Sequence, residues 1–251
     1  MNRPVTGLSD LPVQAAKSRL LLTLVVDTSS SMEGERIAEL NAALQDWRQQ
    51  LVEDDVVRRF GEIAMITFGE GHVNLVDLSG DPGQAYVPVS RFDPPPLRAG
   101  GVTPMIDGLQ YAFTVLADRR QQLRKDGFSL LNRSLVYLIT DGVPTDENGY
   151  PTNAWRDFAP VIRRQEEGRH LLFFAFGVDG ADEFVLRGLA PRAWRLLADA
   201  RLADVLSLVS TSIEAAAASS VHDMPADQAY DIVNEQMDRH ARMREFLEGK
   251  A

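Results

Sequence analysis

The stretch Leu20-Leu21-Leu22-Thr23-Leu24-Val25-Val26 is apolar at six of its seven positions and stops abruptly at Asp27-Thr28-Ser29-Ser30-Ser31. The run is short for a buried helix and lacks a two-residue alternation, so it reads as a strand that is apolar on both faces. Such a strand is satisfied at the centre of a sheet covered by helices on both sides, with parallel neighbours reached through crossover connections. Glu62-Ile63-Ala64-Met65-Ile66-Thr67-Phe68, Ser134-Leu135-Val136-Tyr137-Leu138-Ile139-Thr140 and Leu171-Leu172-Phe173-Phe174-Ala175-Phe176 have the same character. Between them lie helical stripes. Ile37, Leu40, Ala43, Leu44, Trp47 and Leu51 follow the spacing of a buried helix face, as do Ile106, Leu109, Phe113 and Leu116. Further helices over 153–167, 182–189 and 202–218 and a strand near 194–197 continue the alternation. The expected fold class is α/β, a doubly wound, mostly parallel open sheet of about six strands with helices on both faces. His72-Val73-Asn74-Leu75-Val76, joined to the second strand by Gly69-Glu70-Gly71, alternates like a half-exposed strand and is expected as one antiparallel edge.

Three segments follow from this pattern: a flexible N-terminal extension over 1–18, a single α/β domain over 19–220, and a charged helical tail over 221–251. The tail's stripe of Tyr230, Val233, Met237 and Leu247 either docks on the domain or serves as a partner-binding or self-association helix. The segment 79–101 holds Pro82, Pro88, Pro94, Pro95 and Pro96, which argues against a regular ladder and marks a functional or mobile loop.

Composition narrows the chemistry. The 251 residues include no cysteine and four histidines, which removes thiol catalysis, disulfides and zinc ribbons. His72, His170, His222 and His240 lie too far apart for a helical zinc motif. A net charge of −10 disfavours unspecific nucleic-acid binding. No apolar run approaches the ~18–20 residues of a membrane span. The run after Lys17 and Arg19 is short and lacks a small-residue cleavage pattern, so the chain is expected in the cytoplasm, free of membrane and nucleic acid.

In an open α/β sheet, ligands bind beyond the carboxyl ends of the strands. Those ends carry Asp27 with Ser29 and Ser31, Thr103 in the Gly100-Gly101-Val102-Thr103-Pro104 loop, and Asp141 in Thr140-Asp141-Gly142. Oxygen donors of this kind suit a hard cation such as Mg²⁺, with Mn²⁺ or Ca²⁺ as substitutes. Each element also has a local alternative. Asp, Ser and Thr form turns and caps, Thr103 fits an N-cap with Pro104 at the first helical position, and Asp141-Gly142 fits a turn.

Taken together, Asp-x-Ser-x-Ser, the glycine-rich threonine loop and the strand-terminal Asp-Gly occur in the order found in the von Willebrand factor A (VWA) family, which the chain resembles over about residues 20–218. The resemblance implies a metal-ion-dependent adhesion site at Asp27, Ser29, Ser31, Thr103 and Asp141. There the hydroxyls contact the metal, the aspartates act directly or through water, and a partner's carboxylate or water completes the octahedron. Within the family the chain is similar to the bacterial TerY-like branch associated with stress and tellurite resistance. The similarity is carried by Val25 to Met32, Ile66-Thr67-Phe68, Leu138 to Asp146, and Trp155. The family often has glycine between the serines, where this chain has Ser30, a position that is not a ligand. The implied role is non-enzymatic: an adaptor that captures a partner's Asp or Glu carboxylate, with kinases, phosphatases or an ATPase as candidate partners. Two aspartates and three neutral hydroxyls leave a divalent cation little excess negative charge, so it stays able to accept an anionic ligand.

Two rivals share the strand-terminal aspartate. A Mg²⁺-dependent phosphohydrolase of the haloacid dehalogenase type needs a carboxylate two residues later as general acid, where this chain has Ser29. A VWA subunit of a chelatase or AAA⁺ ATPase complex would share the site and leave the ATPase on another chain. The remaining polar clusters have plain readings. Asp146 and Glu147 form a solvated turn, and Asp179 and Asp182 form a turn that could support the site from behind. Arg119, Arg120, Arg124 and Lys125 are read as the basic end of a helix favoured by the macrodipole, and Trp47, Trp155 and Trp194 as packing groups.

Overall fold

A computed structural model describes residues 17–81, 83–197, 202–218 and 225–247. Almost all of the expected N-terminal extension, and both ends of the expected tail, lie outside the described residues.

The apolar run forms β1 (Ser18–Thr28), and ten of its eleven residues are buried. It pairs in parallel with β2 (Gly61–Gly69) on one side and β6 (Ser134–Thr140) on the other. β7 (Leu171–Gly177) and β8 (Trp194–Leu196) continue the parallel sheet beyond β6. β3 (His72–Leu75) closes the far edge antiparallel to β2, giving the order β3-β2-β1-β6-β7-β8. This is the mostly parallel, doubly wound sheet expected from the apolar runs, with its one antiparallel edge strand. The two-residue strands β4 (Val87–Pro88) and β5 (Ser129–Leu130) add to β2 and β1.

The two-sided apolarity of β1 is used residue by residue. Leu20, Leu22, Leu24 and Val26 face a core with α1 (Glu35–Glu53), α6 (Leu202–Ala218) and α7 (Ala226–Leu247). Leu21 and Val25 face a second core with α3 (Met105–Lys125), α4 (Trp155–Glu167) and α5 (Glu183–Leu189). Alternate side chains of one strand therefore serve opposite helical layers, as the pleat requires. A short helix α2 (Asp55–Phe60), capped by the Asp54 side chain accepting from Val57 N at 2.7 Å, leads into β2.

Two expectations need correction. The proline-rich segment does carry a ladder, with Val87 opposite Ile63 and Pro88 opposite Glu62. Proline is tolerated there because the strand lies at an edge. The part of the segment from Phe92 to Leu97 is tied to α1: Asn41 exchanges hydrogen bonds with Leu97 (2.9 and 2.7 Å), Gln45 donates to Pro94 O (2.8 Å), and Phe92 packs edge-on against Trp47. Arg119 is also more than a helix-end cation. Its guanidinium donates to both oxygens of buried Glu62 at 2.7 and 2.8 Å, and Arg19 adds a third bond at 3.1 Å.

Helix α7 docks on the domain through Ala229, Tyr230, Val233 and Met237, all buried. β8 pairs with β7 only from Ala175 onward, which leaves the start of that edge open. Tyr230 covers it. Its hydroxyl accepts from Phe173 N at 2.6 Å and donates to buried Glu166, whose other oxygen takes a bond from Arg192 at 2.9 Å. Burial pushes the Glu166 carboxyl above its ordinary value. Among the described residues no helix is long and apolar enough to cross a membrane.

Removing that hydroxyl leaves Phe173 N without its partner and one Glu166 oxygen without its donor, the other keeping its bond from Arg192. Tyr230→Phe is therefore expected to lower stability by about 2 kcal/mol, a fall in Tm of about 4–8 °C for a chain of this size. Thermal unfolding followed by circular dichroism measures it, and an unchanged Tm would mean that α7 contributes nothing through this bond.

Candidate metal centre

The chain runs from β1 through α1 on one face of the sheet, and from β6 through α4 on the other. Neighbouring strands whose connections diverge in this way leave a crevice at their carboxyl ends. Asp27 sits at the end of β1 and Asp141 directly follows β6. The parallel register, with Val26 opposite Ile139, carries Asp27 next to Thr140. Thr140 Oγ1 donates to Asp27 Oδ2 at 2.6 Å, and Ser29 N donates to Asp27 Oδ1 at 2.9 Å. Asp27 is 1% exposed. Burial pushes its carboxyl up from the usual 3.8 to about 6, against the opposing pull of the Ser29 and Thr140 hydrogen bonds; the nearby Asp141 charge adds a smaller upward push.

After β1 the chain makes one tight turn of 3₁₀ helix over Ser30–Met32, which presents the serines to the crevice. The Ser29 and Ser31 hydroxyls lie 3.0 Å apart, and Ser31 donates to Asp141 Oδ1 at 2.8 Å. Asp141 Oδ2 accepts from Arg36 Nη1 at 2.6 Å. Ser29 and Asp141 are buried while Ser31 is exposed, so the group opens to solvent at Ser31.

The Thr103 loop is fastened to the same turn. Gly100 N donates to Thr28 O (2.9 Å) and Ser30 N to Gly101 O (3.1 Å). Gly101 has φ +75°, and a Cβ there would lie 2.5 Å from Gly69 O, so this approach of three loops needs glycine. Thr103 exchanges two 2.9 Å bonds with Thr145, one from Thr145 N to Thr103 O and one from Thr103 N to Thr145 Oγ1. That pairing draws Thr103 away from the cap position. Helix α3 begins at Met105 with Pro104 as its N-cap residue and no side-chain cap, which corrects the capping expectation. A Cβ on Gly142 would lie 3.5 Å from both Asp27 Oδ2 and Thr103 Oγ1, so these two oxygens face the same spot beside Gly142.

All five residues singled out in the sequence therefore meet in one crevice. Asp146 instead accepts from Asn148 N and Tyr150 N in a turn, and Asp182 caps α5. The Asp179 carbonyl accepts from Arg36 at 3.1 Å. Two contributors went unassigned in the sequence. Thr140 was legible from the strand register alone, whereas Arg36, which arrives from the first turn of α1, carried no sequence signal.

The donor set fits a small hard cation. Two carboxylates match a charge of +2, and the hydroxyls supply neutral oxygen ligands. Among the described residues no three His, Asp or Glu side chains form a cluster, so a cation bound here relies on the hydroxyls. The buried Asp27 carboxylate has only neutral hydrogen-bond donors of its own, and a cation would offset the cost of ionising it.

A family model of the von Willebrand factor type A domain matches residues 22–201. The chain belongs to this family. Solved structures show the same VWA architecture at low identity. The vWF domain of the type V pili tip protein Mfa5 from Porphyromonas gingivalis is 12% identical with a TM-score of 0.55, over 79% of this chain and 96% of that one. The pilus adhesin SpaC from Lactobacillus rhamnosus GG is 17% identical with a TM-score of 0.50, over 87% of this chain and 31% of that one. Proximal thread matrix protein 1 from the mussel byssus is 17% identical with a TM-score of 0.47, over 84% of this chain and 47% of that one. Another structure of that mussel protein has its MIDAS motif occupied by zinc. At these identities the likeness is one of fold, and the chain spans under half the length of the mussel protein and under a third of SpaC. No curated protein matches the chain significantly.

The raised Asp27 value sets a sign. An acid that binds its proton more tightly when folded contributes most below about pH 4, and that contribution is lost as pH rises through about 6. At pH 7 the metal-free VWA domain thus holds an ionised, buried carboxylate. Asp27→Asn is expected to leave the metal-free Tm at pH 7 equal to or above wild type and to abolish any rise in Tm on adding Mg²⁺. Thermal denaturation with chelator and with Mg²⁺ reads both effects, and a large drop in the metal-free Tm would contradict this assignment.

Proposed function

We propose that this VWA domain is a non-enzymatic, metal-dependent protein-binding module. Asp27, Ser29, Ser31, Thr103 and Asp141 would hold a divalent cation, Mg²⁺ first, with Mn²⁺ or Ca²⁺ as substitutes. The observation that carries the reading is the convergence of Asp27, Thr103 and Gly142 beside the Ser29–Ser31–Asp141 hydrogen-bond chain, at a crevice open to solvent. When bound, the cation supplies a Lewis-acidic position able to accept one oxygen of a partner's Asp or Glu side chain. The chain's own residues do the rest. Thr140 and Ser29 N fix the Asp27 carboxylate, Ser31 fixes Asp141, and the exposed edge at Ser31 admits the ligand.

The phosphohydrolase alternative is disfavoured by the same geometry. The residue two positions after Asp27 is Ser29, whose hydroxyl lies against Ser31, and a nucleophile without a carboxylic general acid is poorly equipped for that reaction. In setting, we place the protein in the TerY-like branch, as a cytoplasmic adaptor in a bacterial stress or tellurite-resistance assembly beside kinase, phosphatase or ATPase partners. A subunit of an AAA⁺ or chelatase complex would use the same site. The motif run Val25 to Met32, the segment Leu138 to Asp146 and Trp155 support that placement. In organisation we take residues 1–18 as an extension and 221–251 as an accessory helical segment around the domain.

Calorimetric titration with Mg²⁺ and Mn²⁺ is expected to give one site. Asp27→Ala and Thr103→Ala should each weaken it by about tenfold or more, and capture of the cellular partner should be lost in chelator. Metal affinity unchanged in both variants, or turnover of a phosphate ester abolished by Asp27→Asn, would contradict the proposal.

A further inference from the structure

Arg36 is the one cation in contact with the carboxylates of the crevice among the described residues. Its Nη1 lies 2.6 Å from Asp141 Oδ2 and 3.1 Å from Asp179 O. The two partners differ sharply in exposure, the Arg36 side chain being 41% exposed and that of Asp141 0%. Both Asp141 oxygens are engaged, Oδ1 by Ser31 and Oδ2 by Arg36, so its charge is already neutralised from within the chain.

Resting on the metal-centre reading above, we propose that Arg36 makes the centre cationic, so that a divalent metal and a carboxylate ligand bind it cooperatively. The charge count gives the reason. Asp27 and Asp141 together carry −2, and a divalent cation brings the group to zero. Arg36 is always protonated at physiological pH and takes it to +1. Beside the fully buried Asp141 side chain these charges interact more strongly than they would in open water. The metal alone therefore binds weakly against the guanidinium. One carboxylate from outside restores neutrality, using the metal and the exposed remainder of Arg36 as its two neighbours. Each ligand then raises affinity for the other by the same factor. Such a centre responds to the pair and weakly to either alone, which suits a module that should engage only a partner presenting Asp or Glu. If Arg36 merely props Asp141 in position for the metal, its removal has the opposite sign.

The test is calorimetric titration of Mn²⁺ into chelator-stripped full-length wild type, Arg36→Gln and Arg36→Lys, in acetate and in chloride of equal ionic strength, corrected for free Mn²⁺–acetate binding. Thermal unfolding of the metal-free proteins checks that each variant is folded. In chloride, Arg36→Gln is expected to bind Mn²⁺ about tenfold more tightly than wild type. Acetate should tighten Mn²⁺ binding to wild type and to Arg36→Lys and have little effect on Arg36→Gln. Equal or weaker Mn²⁺ binding by Arg36→Gln, or an undiminished acetate effect in it, overturns the role of Arg36 while leaving the metal centre standing. No Mn²⁺ binding by any of the proteins overturns the metal centre and this inference with it.

Discussion

The arrangement depends on a carboxylate buried where a parallel strand ends. Asp27 closes β1 at 1% exposure, with β2 and β6 on either side and loops from three other parts of the chain above it. A buried charge has to be met by hydrogen bonds, by another charge, or by taking up a proton. Here Thr140 and Ser29 N meet it in part, and its carboxyl still stands at about 6. The surrounding features follow from that requirement: the serine-bearing turn and the glycines that let the Thr103 loop approach.

The rest of the fold keeps this end of the sheet rigid. β1 serves both helical layers with alternate side chains, so its carboxyl end cannot shift without disturbing two cores. At the opposite end, Glu62 is gripped by Arg119 and Arg19. On the far edge, Tyr230, Glu166 and Arg192 lock α7 over the part of β7 that β8 leaves open. The buried Glu62 and Glu166 carboxylates are thus each paired with guanidinium groups.

Much of this was legible from the chain. Runs apolar on both faces gave central strands, and abrupt endings on Asp27 and Asp141 gave the ligand end of the sheet, because an apolar strand that turns polar at once has reached its rim. What escaped depends on contacts distant in sequence. Arg36 looks like any surface residue of an amphipathic helix until β6 is placed beside β1. Arg119 looked like a helix-end cation because its partner, Glu62, lies 57 residues away. The proline count in 79–101 argued against pairing, yet a two-residue edge ladder needs few backbone donors and Pro88 fits it. Thr103 followed a capping pattern, but its exchange with Thr145 across the crevice outweighs a local cap.

Asp27, Ser29, Ser31, Thr103 and Asp141 are proposed to form one cation site. The most direct measurement is anomalous diffraction from crystals soaked in Mn²⁺. A single strong anomalous peak is expected in the crevice above the ends of β1 and β6, within coordination distance of the serine and threonine hydroxyls. An empty crevice at saturating Mn²⁺, or a peak confined to surface carboxylates such as Asp146 and Glu147, would contradict it.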